Sequence, residues 1–320
     1  MGRQKSKRNT RNIRNIRNIR NIRNIRNTRN KKSRKIKIKI EKYKEDAKNG
    51  NVDAQYNLGR RFEKGEGVKK NIKEAVRLLD LASDQGNARA QNRLGVILDK
   101  GDGVKKNKKE AARLFRLSAK QGNICAQYNL AIMLAKGDCV KKNIKEAARL
   151  YRLAAKKGDT DAQVNLGVMF DNGNGVKRSY KKAAKLYRLA AKKGDATAKY
   201  NLGLMFEYGK GVKRNYKKAL KFYRFSAKKG VSRAQHRLGI MYENGHGVTQ
   251  SKKEAKRLFR LAEKTLRKNS THKTKTKRGD ATLFKLNEPI NSLFNNIISL
   301  QNLSLSGDLE KIKVVEALRF

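Results

Sequence analysis

The sequence predicts an all-α fold, a right-handed α-solenoid of six 36-residue helix-turn-helix repeats, preceded by a basic disordered amino-terminal arm. Three observations support this prediction. A Leu-Gly pair, once Leu-Ala, recurs at a constant spacing; residues that start and stop helices recur with it; and residues 1–40 contain no acidic residue. A fixed period of about 20–50 residues indicates a repeat architecture in which one supersecondary unit stacks on the next.

The repeated pair sets the register of the units. Successive leucines differ by 36 residues each time, without insertion or deletion. The pairs are Leu58-Gly59, Leu94-Gly95, Leu130-Ala131, Leu166-Gly167, Leu202-Gly203 and Leu238-Gly239. The repeats therefore begin at residues 51, 87, 123, 159, 195 and 231, and the predicted array runs over 41–268 with a capping half-repeat at 41–50. A solenoid grows by adding such units to one continuous body.

The arm, residues 1–40, is basic and of low complexity. It holds 17 Lys and Arg residues, and its centre repeats the triplet Arg-Asn-Ile from Arg11 to Ile25. A period of three matches neither a helix nor a strand, so its isoleucines do not gather on one face and we expect disorder. The arm suits polyanion binding or a nuclear address, whereas an expanded codon repeat without a selected role is the competing explanation.

The whole chain is strongly cationic. Its 81 Lys and Arg residues against 27 Asp and Glu give a formal charge of +54, which predicts attraction to polyanions or acidic proteins. An AT-rich coding sequence would also produce this abundance of Lys, Asn and Ile. Since no apolar stretch resembles a signal peptide or a membrane span, we expect an intracellular, soluble protein, with cytoplasm and nucleus both open.

Start and stop signals divide each unit into two helices. The predicted N-caps are Asn51, Asn87, Asn123, Asp159 and Asp195 for first helices, and Asn71, Asn107, Asn143, Ser179, Asn215 and Ser251 for second helices. Glutamates three residues after four of the second caps, Glu74, Glu110, Glu146 and Glu254, predict capping boxes. Glycines that close second helices as left-handed C-caps are Gly50, Gly86, Gly122, Gly158, Gly194 and Gly230.

A Gly-x-Gly-Val motif separates the two helices of most units, as in Gly65 to Val68. A nucleotide-binding fingerprint needs a strand before the glycines, and here a helix precedes them, so we interpret the motif as a structural turn. Cys139 replaces its second glycine once, which suggests that the position tolerates a side chain. Mid-helix glycine is unfavourable, so Gly59 and its equivalents indicate close helix approach, and Ala131 should fit with slight widening.

These motifs together resemble the Sel-one-like repeat (SLR) family, relatives of the tetratricopeptide repeats with a slightly longer unit. The resemblance rests on Ala-x-x-x-Leu-Gly-x-x-Phe/Tyr, Gly-x-Gly-Val, Ala-Ala and a closing Gly, over Asn51 to about Lys268. It implies an α-solenoid adaptor for protein complexes, of the kind found in degradation machinery, bacterial signalling and secreted effectors. Cysteine-rich relatives linked to β-lactams pair cysteines in each repeat, whereas this chain has only Cys125 and Cys139, too far apart along a helix to bond.

Equivalent positions of successive repeats form a column along the array. Three variable columns on the first helices, those of residues 56, 60 and 63, point away from the predicted core stripe. The column of residue 56 is mostly aromatic, that of residue 60 is mostly apolar, and that of residue 63 is mostly acidic. The candidate partner-binding residues are Tyr56, Tyr128, Tyr200, His236, Glu63, Asp99, Asp171, Glu207 and Glu243. They predict a groove for a partner segment with apolar anchors and basic charges. Alternatively, column 60 packs on the next unit and the acids only offset nearby lysines.

A second set of columns is cationic and is the basis of an alternative function. The candidate polyanion-binding residues are Arg11, Arg14, Arg17, Arg20, Arg23, Lys69, Lys70, Lys105, Lys106, Lys141, Lys142, Lys177, Arg178, Lys213 and Arg214. A regular row of cations can follow a phosphate backbone, with affinity that falls as salt rises. A solvated face is the competing interpretation of such a row.

No catalytic constellation is visible, because the histidines His236, His246 and His272 are scattered and no triad or metal-ligand spacing occurs. We therefore expect no enzyme, no metal and no cofactor. Residues 269–320 form a predicted basic linker and a short helical tail. The sequence favours a monomeric scaffold for a protein partner; nucleic-acid binding is the alternative, and a pathogen effector acting on host proteins is a weaker one.

Overall fold

The computed structural model describes residue 34 and residues 36–275, with side chains as far as residue 269. The predictions for the amino-terminal arm before residue 34 and for the tail after residue 275 lie outside these residues. The described part of the chain consists of α-helices and the turns between them, and contains no strand. Two compact units divide it after Asp159, the second extending to His272.

Thirteen helices make up these described ranges. Helix α1 covers residues 36–48. The six repeats follow as α2 (Val52–Lys64), α3 (Ile72–Asp84), α4 (Ala88–Lys100), α5 (Lys108–Lys120), α6 (Ile124–Lys136), α7 (Ile144–Lys156), α8 (Thr160–Asn172), α9 (Tyr180–Lys192), α10 (Ala196–Tyr208), α11 (Tyr216–Lys228), α12 (Ser232–Asn244) and α13 (Lys252–Lys275). The predicted all-α solenoid class with six helix-turn-helix repeats is confirmed.

The predicted helix caps are present in both units. The side-chain oxygen of Asn51 accepts a hydrogen bond of 2.8 Å from the backbone N–H of Ala54, and Asn71 accepts one of 3.1 Å from Glu74. Equivalent bonds form at Asn87, Asn107, Asn123, Asn143, Ser179, Asp195, Asn215 and Ser251. The six closing glycines all have φ between 80° and 90°, the left-handed conformation predicted for them.

The capping-box prediction was wrong. The backbone N–H of Asn71 already donates to the carbonyl of Phe62 in the preceding helix, at 2.9 Å. Bonds at the same positions form in all six repeats, so a glutamate three residues later finds no free N–H at the cap. Glu74 instead accepts two hydrogen bonds from Arg77, at 2.7 and 3.0 Å. The glutamates therefore anchor arginines on the helix surface.

The two helices of a repeat pack through small and aliphatic side chains. Ala54, Leu58 and Gly59 of α2 are buried, as are Ala75 and Leu79 of α3. The predicted close approach is confirmed, since a Cβ built on Gly59 would lie 3.0 Å from Leu79 Cγ. Ala131 at the equivalent position of the third repeat is fully buried, so a methyl group is accommodated there.

Successive repeats are joined through a buried glutamine of the first helix. Gln55 and Gln91 each donate from Nε2 to a carbonyl at the end of the preceding second helix, Ala47 and Ser83, both at 3.3 Å. Both carbonyls also accept from the N–H of the closing glycine, so the glutamine adds a second hydrogen bond at the end of the helix. Gln127 and Gln235 make the same bond.

Both ends of the array differ from the predicted boundaries. Helix α1 begins within the predicted arm, because Ile36 and Ile40 lie four residues apart and pack on the first repeat, with Ile40 3% exposed. Helix α13 continues to Lys275, into the predicted linker. Leu266 stands where earlier repeats have a closing glycine, so the left-handed stop is missing.

Candidate functional site

Helices α8, α10 and α12 of the second unit line an open cavity of about 600 Å³. Its floor comes from the apolar column of the first helices, with Val168, Leu204 and Ile240 spaced one repeat apart. Tyr200 and His236 of the aromatic column also line it, and so does the acidic residue Asp171. The remaining contributors come from the same three helices, from α9 and from the turns. Three of the predicted partner-site residues, Tyr200, His236 and Asp171, therefore contribute to one cavity.

In the first unit, two of the predicted residues contact arginines of the next repeat, and Tyr128 contacts a ring of its own repeat. Tyr56 lies beneath the guanidinium of Arg89, 4.6 Å from the ring centre. Glu63 forms a 2.5 Å ion pair with Arg93, and the ring centre of Tyr128 lies 5.8 Å from that of Tyr151. Asp99 is half-buried, and in the second unit Glu243 is exposed.

Glu207, predicted to edge the groove, is buried in the second unit, with 7% of its surface exposed. The hydroxyl of Tyr223 donates a 2.6 Å hydrogen bond to Glu207 Oε2, and the guanidinium of Arg237 lies 3.6 Å from Oε1. Burial and the adjacent carboxylate raise the pKa of Tyr223 far above its ordinary value, so this hydroxyl stays protonated. Glu207 is therefore a structural acceptor with its own partners.

The cavity is cationic, which contradicts the expectation of a site for basic charges. Arg178, Lys210, Arg233 and Arg237 line it, against the single carboxylate Asp171. The prediction failed because it considered only the columns of residues 56, 60 and 63. The columns that carry Arg233 and Arg237 also place Arg89 and Arg93 in the second repeat, and the same register could have found them.

Aromatic rings hold these cations in place. The amino group of Lys210 lies 5.6 Å from the ring centre of Tyr180 and 5.9 Å from that of Tyr208. The guanidinium of Arg233 lies 5.3 Å from the ring centre of Tyr200. A ring face attracts a cation without neutralising it, so these head groups keep their charge for a ligand.

Asp171 is the acid of this cavity. Burial raises its pKa, while the positive charges of Lys210 and Arg178 oppose that shift. The burial effect prevails, so the carboxylate is held at a cost to the folded protein. Nearby, burial disfavours the charge on Arg237, but the Glu207 carboxylate outweighs it and the pKa of Arg237 is raised.

The predicted basic row is exposed throughout its described members. These are Lys69, Lys70, Lys105, Lys106, Lys141, Lys142, Lys177, Arg178, Lys213 and Arg214. The arm residues Arg11, Arg14, Arg17, Arg20 and Arg23 lie outside the described residues. In the second unit, helices α9 and α11 contain no acid, whereas α3, α5 and α7 each hold a Glu-Arg pair. The positive charge of α9 and α11 is therefore not offset by an acid on the same helix.

Among residues with described side chains, the histidines and cysteines do not converge on one site. His236 is buried with its ring centre 5.1 Å from that of Phe259, and His246 stacks on Tyr216 at 4.7 Å. Cys125 and Cys139 are exposed free thiols. Within residues 36–269 no group of three or more His, Cys, Asp or Glu side chains is arranged to hold a metal ion. None of the described helices is long and apolar enough to cross a membrane.

Comparisons with known proteins give a consistent picture. The family described as Sel1 repeat matches residues 52–87, 88–123, 126–159, 160–195, 196–231 and 232–264. A Sel1 repeat protein from Oxalobacter formigenes is 34% identical with a TM-score of 0.61, over 67% of this chain and 85% of that one. A protective antigen with an SLR fold from uropathogenic Escherichia coli is 29% identical with a TM-score of 0.64, over 78% of this chain and 61% of that one. A search of curated proteins gave no match.

Proposed function

Because this chain belongs to the Sel1 repeat family, whose members are generally protein-interaction scaffolds, we propose that it is a non-enzymatic adaptor that binds a partner segment in the first-helix groove of its second unit. The cavity of about 600 Å³ between α8, α10 and α12 carries this proposal. Ligand pockets have volumes of about 300–1,000 Å³ and combine an apolar floor with a few polar groups. Val168, Leu204 and Ile240 supply such a floor, and Tyr200 supplies an amphipathic wall.

The apolar column supports an interaction role because it leaves side chains half-covered. Leu204 and Ile240 are neither buried nor fully exposed, although both point into a concave site. Apolar side chains gain free energy when a partner removes their remaining contact with water, by about 25 cal/mol for each Å². A partner segment that places aliphatic side chains on this floor would therefore be stabilised.

The substitution Leu204→Arg tests the groove with a residue that the fold already carries, since Arg60 occupies the equivalent position of the first repeat. The full chain is used to select peptides from a displayed library, and selected peptides are measured against both variants by fluorescence anisotropy. We expect Leu204→Arg to weaken binding by about tenfold or more, because it places charge on the apolar floor. The matched control is Val96→Arg in the first unit. Equal affinity for both variants would contradict the groove.

A second candidate function is polyanion binding, favoured by the acid-free helices α9 and α11. Lys181, Lys185, Lys217 and Lys221 project from them and are exposed. Each phosphate that a cation neutralises contributes about −0.9 to the slope of log affinity against log salt. The double change Lys217→Glu and Lys221→Glu should reduce that slope for duplex DNA by about 2, whereas Lys73→Glu on α3 should change it little. An unchanged slope in the double variant would exclude these helices.

Removal of residues 1–33, which leaves α1 intact, separates the contribution of the arm from that of the helices. If the arm supplies the contacts, the truncated chain should lose most of the salt dependence, because these residues hold 13 cations. If α9 and α11 supply them, truncation should leave the effect of Lys217→Glu and Lys221→Glu intact. A nuclease-treated pull-down then shows whether a recovered partner depends on nucleic acid.

A further inference from the structure

The groove of the second unit is built for negative charge, and we infer that its partner is an acidic peptide segment with an aliphatic anchor. This inference rests on the proposed groove function and adds the chemistry of the occupant. Four cations line the cavity against one carboxylate. Glu207, behind the wall, is already engaged by Tyr223 and Arg237 and adds little to what a ligand meets.

The cations reach the cavity from two turns and one helix. Arg178 precedes α9 and Lys210 follows α10, and both are exposed at its rim. Arg233 and Arg237 come from α12 and are half-buried. The rim can therefore attract a carboxylate from solvent, and the half-buried guanidinium of Arg233 can bind one in a less hydrated setting, where a charge-assisted hydrogen bond is stronger.

The contacts of these cations leave room for an acid. Arg178 lies 5.6 Å from the ring centre of Tyr180, and Arg237 lies 5.4 Å from that of Tyr208. Ring faces orient the head groups, so less side-chain freedom is lost when a carboxylate binds. Asp171 is a single carboxylate among four lining cations, so it can offset at most one of their charges.

Part of the positive charge of the groove is specific to the second unit. The position of Arg178 is basic in five repeats, and those of Arg233 and Arg237 are arginine in the second repeat as well, whereas Lys210 has no basic equivalent in the first four repeats. The position of Lys210 is occupied by Glu66, Asp102, Asp138 and Asn174 in the first four repeats. The position of Arg233 is Asp53, Cys125 and Asp161 in the first, third and fourth repeats. A general bias toward lysine would have affected those repeats as well.

The floor of the cavity favours a peptide over a nucleic acid. Val168, Leu204 and Ile240 form an aliphatic surface, which suits a Leu, Ile or Val side chain. The rings of Tyr180, Tyr200 and Tyr208, which could otherwise stack on a base, each face a cation of the cavity. An aliphatic residue flanked by Asp or Glu satisfies the floor and the rim together.

The test uses the full chain and peptides selected from a random displayed library. We expect the selected peptides to be acidic, and the strongest one, synthesised with its Asp and Glu residues changed to Asn and Gln, to bind at least about tenfold more weakly. The double variant Lys210→Asp with Arg178→Gln should lose at least about tenfold for the acidic peptide. Both substitutions use residues found at equivalent positions, Asp102 and Gln250, so the fold should accept them.

A matched variant separates the groove from the overall charge of +54. Lys105→Asp with Lys106→Gln makes the same charge change at a turn of the first unit and should leave affinity unchanged. Equal losses in both double variants would show long-range attraction alone and would overturn the inference. Tighter binding of oligothymidylate than of the acidic peptide, weakened by Lys210→Asp with Arg178→Gln, would also overturn it.

The same experiment distinguishes the inference from the proposed function. If the selected peptides are neutral or basic and Leu204→Arg abolishes their binding, the groove function stands and the acidic preference is wrong. If no selected peptide responds to Leu204→Arg, the groove function itself is wrong. Selected acidic peptides that respond to Leu204→Arg and to Lys210→Asp with Arg178→Gln, but not to the matched variant, support both.

Discussion

The same four side chains occur at two places that lie four repeats apart in the sequence. Tyr56, Glu63, Arg89 and Arg93 in the first unit correspond to Tyr200, Glu207, Arg233 and Arg237 in the second. In both places one arginine covers the tyrosine ring, at 4.6 and 5.3 Å, and the other approaches the glutamate, at 2.5 and 3.6 Å. Repetition of the sequence has therefore reproduced a side-chain cluster.

The surroundings of the two clusters differ at a few positions, and these give them different chemistry. In the first unit Arg60 forms a 3.3 Å ion pair with Glu66, whereas Leu204 and Lys210 stand at these positions in the second. Leu79 is likewise replaced by Tyr223, which donates to Glu207. The first cluster is filled by compensating charges, and the second keeps an apolar floor with cations at its rim. Substitutions at the corresponding positions therefore test how much each cluster depends on its surroundings.

The two clusters should differ most in the loss of stability when their glutamates are replaced. Glu207→Gln leaves the half-buried Arg237 without its countercharge and should lower the free energy of unfolding by about 2–3 kcal/mol. Glu63→Gln should cost about 1 kcal/mol, because the side chain of Glu63 is 19% exposed and that of Glu207 only 8%. Urea unfolding of the two variants measures both values. Equal costs for the two variants would mean that burial does not distinguish the clusters. Glu207→Ala also removes the acceptor of Tyr223 and should therefore cost more than Glu207→Gln.

An intermediate effect is expected at the mid-helix glycines. A Cβ on Gly203 would lie 2.6 Å from Tyr223 Cδ1, a rigid buried ring, whereas on Gly59 it would lie 3.0 Å from the flexible Leu79. Gly203→Ala should cost about 1–2 kcal/mol, since overpacking of about 1–3 kcal/mol exceeds the gain in helix propensity of about 1 kcal/mol. Gly59→Ala should change stability by less than about 0.5 kcal/mol. Tyr223→Phe removes the hydroxyl and retains the ring. If the ring causes the overpacking, Gly203→Ala should cost about as much stability in the Tyr223→Phe background as in the natural chain.

The fold could be predicted from the sequence because each of its signals is local and recurs six times. A cap such as Asn71 or a closing glycine such as Gly86 depends only on its own turn, and repetition distinguishes it from coincidence. The capping boxes failed for a tertiary reason, since the cap N–H groups bind carbonyls of the preceding helix. The predicted end of α13 was wrong because the closing glycine is absent from the last repeat, and the helix continues to Lys275.

The candidate site was predicted only in part. The columns of the cavity-lining residues Tyr200 and Leu204 could be identified from the sequence, because the direction of these side chains depends only on the geometry of their own helix. The charge of the cavity depends on two helices and two turns, so Lys210 and Arg233 line the same cavity as Asp171 only in three dimensions. The burial of Glu207 depends on Tyr223 in a second helix, and no single column contains that pairing.

The smallest effect is expected in how the free energy of unfolding changes with pH when either of two acids with opposite pKa shifts is replaced. Burial raises the pKa of Asp171, whereas hydrogen bonds from Arg77 lower the pKa of Glu74. A carboxyl group with a raised folded-state pKa stabilises the fold below its unfolded pKa and loses that contribution as pH rises through the folded value. Asp171→Asn should therefore be more stable than the natural chain near about pH 7, by less than about 1 kcal/mol, and this advantage should vanish below about pH 4.

Glu74→Gln should change the pH dependence of stability in the opposite direction. A lowered folded-state pKa gives stability that is present above the unfolded pKa of about 4.3 and lost as pH falls through the folded value. Since this exposed pair is screened by water, Glu74→Gln should be less stable near about pH 7 by only about 0.3–0.5 kcal/mol, and the difference should disappear in acid. Thermal unfolding from about pH 3 to about pH 7 measures both curves. Two curves that move in the same direction would show that Asp171 is stabilised by Lys210 and Arg178 more than it is penalised by burial.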